Sequence, residues 1–266
     1  MLDIIDQAKN AIETYNSALE VHSANIANMS VNGYKKLDIS FQSIFDKLIK
    51  QGTAANVLQN TGGTNPTQYG QGVAVSSVNI DMSQGAAVSG AALDAAITGQ
   101  GLFIVSPDNG SSYLYTRDGH FSIANGSMVT QTGMQVYGIN SSGSQVAITG
   151  LTADPTTYTW GTDGQLLASG VATGFRLGLS YFANPQGLQQ AQGTTLRQTM
   201  ASGSANAAIA SGGIAGTITP QTLEQSNVFY LGESLDSIDI QRAMSANLSV
   251  AKMASDIIQS FITKLG

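Results

Sequence analysis

Cysteine is absent from the 266 residues, which excludes disulfides, thiolate metal sites and a thiol nucleophile together and leaves the redox compartment undetermined. Charge is scarce. Asp, Glu, Lys and Arg make up 11% of the chain, and its eleven basic residues are scattered against a net charge of -6 and a pI of about 4.7. Nucleic-acid binders concentrate Lys and Arg on one face, so no nucleic-acid partner is expected. No stretch approaches the roughly 18 uninterrupted apolar residues of a membrane span, and membrane insertion is not expected either. The opening Met1-Leu2-Asp3-Ile4-Ile5-Asp6 carries acid where a secretory signal needs Lys or Arg, with no apolar region or cleavage site after it. If the protein leaves the cytoplasm, the expectation is an uncleaved passage through a dedicated route.

Histidine is almost missing too, and catalysis needs a cluster of titratable groups. The two histidines, His22 in a helical seam and His120 beside a strand, have no partner visible in the sequence. They read as a polar residue at a packed interface and a side chain flanking a hairpin. The pairs Asp118-Gly119 and Asp163-Gly164 lack the alternating oxygen ligands and closing Glu of a calcium loop, and read as turns. Gly99-Gln100-Gly101 lacks the third glycine of a phosphate-binding loop and leads into the strand-like Leu102-Phe103-Ile104-Val105, so it reads as a tight hairpin. No catalytic residue, cofactor or metal site is expected.

What is present is a pair of long amphipathic ends. Residues 1–29 contain no Gly or Pro, and Met1, Ile5, Ala8, Ile12, Tyr15, Leu19, Ile26 and Met29 recur at heptad spacing with His22 as the polar interruption. This predicts one helix of about 40 Å, ended by Asn32-Gly33. Ile240, Met244, Ala251, Ala254, Ile258, Phe261 and Leu265 repeat the spacing, with Asn247 at the polar seam position. A second row, Ala243, Ala246, Val250, Met253 and Ile257, makes the apolar face wider than one partner helix needs, which points to several neighbours. An amphipathic helix is ordinarily the outer layer of a globular core. Here both helices are terminal and flank a glycine-rich β region, which favours packing against copies.

Between the ends the period falls to about 2, as in Val73–Ile80 and Phe175–Phe182, and turn pairs such as Asp108-Asn109-Gly110 and Asn125-Gly126 separate short strands. The expected fold class is α+β, with long terminal helices forming a coiled-coil-like inner domain, and with a β-rich central domain. The expected divisions are an N-terminal helix at 1–32, a linker and loop at 33–72, a β-rich outer domain at 73–200, a low-complexity linker at 201–225 and a C-terminal helix at 226–266.

Several phrases carry a family resemblance. Ser23-Ala24-Asn25-Ile26-Ala27-Asn28, followed by Asn32-Gly33-Tyr34-Lys35-Lys36, resembles the N-terminal signature of bacterial flagellar rod and hook proteins, Asn-Asn-Leu-Ala-Asn and then Thr-x-Gly-Phe-Lys. Leu93–Phe103 and Tyr115–Phe121 are similar to the family's central strand pair and next hairpin, and Leu223-Glu224-Gln225-Ser226-Asn227-Val228 with Ile240-Gln241-Arg242-Ala243 to the start of its C-terminal helix. Ala24, Val31 and Met244 depart from the pattern, where the family has Asn, Thr and an aromatic.

The resemblance implies an exported structural subunit of the flagellar axial tube, in the periplasmic rod or the cell-surface hook. Its implied partners are further copies of itself in a helical polymer, neighbouring rod or hook proteins and the type III export apparatus. Length favours a distal rod, while Gly63-Thr64-Asn65-Pro66 is a phrase reminiscent of hooks; both remain open. The rival from another class is a secreted β-rich adhesion or binding module, which would not need the terminal helices. Residues expected to pack between subunits are Ile5, Ile12, Leu19, Ile26, Ile240, Met244, Ala251, Ile258, Phe261 and Leu265. Those carried by the family motif are Asn25, Asn28, Gly33, Tyr34, Lys35, Ser226, Asn227, Gln241 and Arg242.

Overall fold

The computed structural model describes residues 2–44, 47–50, 63–65, 67–70 and 72–265. Residues 51–62 of the expected linker and loop at 33–72 lie outside them, as does Met1. Two terminal helices and a large β-rich region between them make the fold α+β. The chain divides into two compact units, one of Met1–Ala24, Asp38–Val78 and Leu231–Gly266, the other of Asn25–Leu37 and Asn79–Tyr230.

Helix α1, Leu2–Ala27, begins with Asp3 in its first turn, where a negative charge complements the exposed amide groups. Its buried residues are Ala8, Ala11, Thr14, Ala18, His22 and Asn25, a row of mostly small side chains. Small side chains let a helix approach its support closely. Thr14 Oγ1 donates to Val73 O at 2.9 Å and Gln7 Nε2 to Gly70 O at 3.0 Å, while Tyr15 meets Phe41 edge-on with ring centroids 6.2 Å apart. Ile5, Ile12, Leu19 and Ile26 run beside this row and are half-buried.

Helix α2, Tyr230–Leu265, has its only glycine, Gly232, in the first turn. Glu233 and Ala254 are buried and Ile240, Met244, Asn247, Ala251 and Ile258 half-buried in one row, while Phe261 is exposed and the side chain of Leu265 lies outside those described. The two helices meet where His22 Nδ1 lies 2.7 Å from Glu233 Oε2. Leu248, Val250, Met253, Ile257 and Ile262 all remain exposed.

The β-rich unit is organised around the strand Leu102–Ser106, every residue of which is buried. Phe103 and Val105 enter one apolar cluster with Val136, Trp160 and Leu177, whereas Leu102 and Ile104 enter another with Tyr115, Tyr137 and Phe182. A strand covered on both faces gains by being apolar at every position, which accounts for the unbroken Leu-Phe-Ile-Val. Gln135–Ile139 and Leu114–Thr116 pair antiparallel on its two sides, and Leu179–Ser180 adds a further pairing.

Three local expectations change here. Strands flanking Arg117-Asp118-Gly119 do not pair with each other: Leu114–Thr116 bonds to Leu102–Ser106, and Phe121–Ala124 to Ser127–Thr130. Gly119 instead serves a close approach, since a Cβ there would overlap the carbonyl oxygen of Ala95. Gly99-Gln100-Gly101 likewise closes no hairpin, because Ala95–Thr98 pairs with Thr217–Pro220. The segment 201–225, read as a linker, therefore carries two strands, the second being Thr222–Glu224 against Ala87–Ser89. Ala215 and Ile218 supply the apolar contacts that hold it to the core.

Candidate functional site: the buried joint at Glu224

The signature residues converge within the β-rich unit. Asn25, in the last turn of α1, is fully buried, and its side chain stands in for a strand partner. Nδ2 donates to Leu37 O and Oδ1 accepts from Leu37 N, both at 2.9 Å, while Tyr34 donates its hydroxyl to Oδ1 at 3.2 Å. The chain between these groups turns at Gly33, whose φ of +69° suits glycine. Gly33 N then donates to Glu224 O at 2.8 Å.

Glu224 is the hub. Its Oε1 accepts from Lys35 Nζ at 2.6 Å and from Gly85 N at 2.9 Å, and its Oε2 from Arg117 Nη1 at 3.2 Å. Lys35 also donates to Ser83 O at 2.6 Å, and Arg117 Nη2 to Gly99 O. All three charged residues are at most 3% exposed. Burial lowers the pKa of Lys35 and of Arg117, against the opposing attraction of Glu224. Burial also raises that of Asp118, the residue that follows Arg117. Two cations thus depend on one carboxylate. Such a group is costly to break even where its net contribution to stability is small.

Asn227 completes the joint. Its Oδ1 accepts from Lys36 N at 2.8 Å, and its Nδ2 donates to Asp81 O at 2.9 Å and to Ser83 Oγ at 3.0 Å. Of the other motif residues, Asn28 and Ser226 are half-buried nearby in sequence, and Ser226 Oγ accepts from Val228 N at 3.2 Å. Gln241 and Arg242 are exposed on α2 and outside the joint, with Arg242 Nη1 3.9 Å from Asp239. Sequence reasoning left Glu224, Arg117 and Ser83 out of the site. For Arg117 and Glu224 the available signal was the scarcity of charge in the chain, whereas Ser83 had none.

Chemically the joint is a fastener. Both carboxylate oxygens of Glu224 are occupied by protein donors, and the side chain is 1% exposed, so no substrate reaches it. His120 Nδ1 lies 3.0 Å from Asp94 Oδ1 elsewhere in the unit. Among the described residues no group of three or more His, Asp or Glu side chains could hold a metal ion, and no described helix is long and apolar enough to cross a membrane.

Alignment with the flagellar basal-body rod protein FlgG of Bacillus subtilis (strain 168) extends over 269 residues at 31% identity and takes in 98% of each chain. The chain belongs to the flagellar rod and hook protein family. Within that family, the rod protein FlgG of Agrobacterium fabrum (strain C58 / ATCC 33970) is 31% identical over 97% of each chain. The flagellar hook protein FlgE of Helicobacter mustelae is 37% identical, but over 52% of this chain and 31% of its own length. The family model of the flagellar hook protein FlgE/F/G D1 domain matches residues 96–168. Those residues include the central strand and Arg117, whereas Lys35 and Glu224 lie outside the match.

Proposed function

We propose that this chain is a structural subunit of the flagellar axial rod, polymerising with copies of itself and with neighbouring axial proteins into a hollow tube. The tube transmits torque and passes exported proteins, and the subunit carries out no reaction. The observation that carries this reading is the alignment with basal-body rod proteins over 97–98% of both chains. It also favours rod over hook, since the hook protein is matched over less than a third of its length. An adhesion module accounts neither for that alignment nor for the two terminal helices.

Packing of α1 and α2 against the helices of neighbouring copies, as a coiled-coil-like inner layer, is part of the same proposal. It rests on the apolar side chains left exposed on α2, Val250, Met253 and Ile257 on one side of its half-buried seam and Leu248 and Ile262 on the other. Covering them contributes about 25 cal/mol per Å² of apolar area removed from water. Export of the unfolded chain by the type III apparatus completes the proposal. Electron microscopy of the purified protein at rising concentration tests polymerisation, with a tagged copy in cells testing location. Tubes with a lumen and a signal at the basal body are expected; a protein that stays monomeric at high concentration, or a label away from the flagellar base, overturns it.

Single charges in the seam probe the packing. Ile12→Asp or Ile258→Asp is expected to block polymerisation while the β-rich unit keeps its fold, because an unpaired charge in an apolar contact costs several kcal/mol. Trp160, the only tryptophan, is buried in that unit and reports its unfolding. Normal tubes from either variant would remove these positions from the interface.

A further inference from the structure

We propose that Met200 is an apolar knob that docks, in the assembled polymer, into the cleft bounded by residues 91–94, 120–123 and 153–156 of a second copy of this chain. The inference rests on the polymer reading above and adds to it a specific contact between β-rich units.

The knob is held rigidly. Met200 is fully exposed, at 103%, yet its turn is tied down. Thr199 Oγ1 donates to Gly187 O and accepts from Ser202 N at 3.2 Å, Ser202 Oγ donates to Thr199 O at 2.9 Å, and Asn184 Nδ2 donates to Ala201 O at 3.0 Å. A flexible turn could fold its methionine back onto the surface. This one presents it. Little ordering entropy is then lost on docking, and methionine adapts its shape to an imperfect hole.

The cleft, of about 350 Å³, has room for the thioether and a flanking side chain, and its walls include Leu93, Phe121, Ile123 and Pro155. Charge complements the fit. From Gly164 to Leu223 the chain has no Asp or Glu, and its only charged residues are Arg176 and Arg197, the latter three positions before the knob. Asp94 in the cleft is buried and lies 3.0 Å from His120, which lines the cleft too, so the negative charge on offer is the exposed Asp154 at the margin, whose carboxyl is held below its ordinary pKa by hydrogen bonds from Thr156. Knob and cleft are also different patches of one chain. A contact between unlike patches repeats head to tail and yields an open polymer rather than a closed pair.

Because the chain has no cysteine, cross-linking reads the contact cleanly. The double variant Met200→Cys with Ser122→Cys, polymerised and then oxidised, is expected to give a ladder of covalent multimers on a non-reducing gel. Each single variant can give at most a dimer. Met200→Asp is expected to raise the concentration needed for polymerisation about tenfold or more without moving the Trp160 unfolding midpoint, and Met200→Leu to restore it. Tubes without a ladder overturn the docking contact alone. Failure of the unaltered chain to form tubes overturns the polymer reading, and the contact with it.

Discussion

Glu224→Leu is expected to destabilise the β-rich unit by about 3–5 kcal/mol, the range found when one partner of a buried ion pair is removed. Leucine is close in size to glutamate, so the effect is electrostatic. It strands two buried cations, Lys35 and Arg117, and leaves Gly85 N without its acceptor. Against a total stability of about 5–15 kcal/mol, that loss brings a small unit near unfolding. Lys35→Met should cost less, since Glu224 keeps Arg117 and Gly85 N as donors and no charge is left unpaired; the losses are the bonds from Lys35 to Glu224 Oε1 and to Ser83 O. Urea denaturation followed by Trp160 fluorescence measures both. A Glu224→Leu variant no less stable than Lys35→Met would show that the carboxylate is not the hub.

Gly33→Val is expected to be the most damaging change at the signature turn. Its φ of +69° disfavours a β-branched residue, at about 1–3 kcal/mol. A Cβ there would also run into the backbone nitrogen of Asp118 and stand 2.6 Å from the carbonyl carbon of Arg117, adding about 1–3 kcal/mol of overpacking. Backbone cannot swing aside as a side chain can. Gly110→Ala is the comparison, because its φ is also positive, at +92°, but the nearest obstacle is the hydroxyl end of the Tyr137 side chain, at 2.6 Å. Gly33→Val should therefore lower the urea midpoint and impair tube formation far more than Gly110→Ala. Equal tolerance would mean that residues 33 and 117–118 do not pack closely in solution.

These two expectations depend on different kinds of information. Gly33 was legible in the sequence, because Asn32-Gly33 after a run free of Gly and Pro is a local stop signal. Lys35 was legible through the family phrase. Glu224 was not placed in the site, for a physical reason. Lys35 and Glu224 stand 189 positions apart, and Arg117 and Glu224 107, and no local periodicity records which distant carboxylate will neutralise a buried cation. Gly119 misled for a related reason, since Asp-Gly is common in hairpin turns and nothing nearby in sequence reveals that Ala95 would press against it.

Local chemistry determined the two terminal helices, the β-rich middle and the lack of thiol chemistry. Heptad spacing without Gly or Pro constrains a helix through neighbours three and four residues away, and alternation constrains a strand through neighbours two away. Tertiary structure alone decided which row of α1 is buried, setting Ala8, Ala11, Thr14 and Ala18 ahead of the larger apolar row beside them. Small residues win that place because the helix sits close enough to Val73 for a direct hydrogen bond from Thr14. Tertiary structure also turned part of 201–225 into strands and brought Glu224 to Lys35 and Arg117. Both outcomes follow from competition among distant segments for the same buried surface and the same hydrogen-bond partners, which is settled only when the whole chain packs.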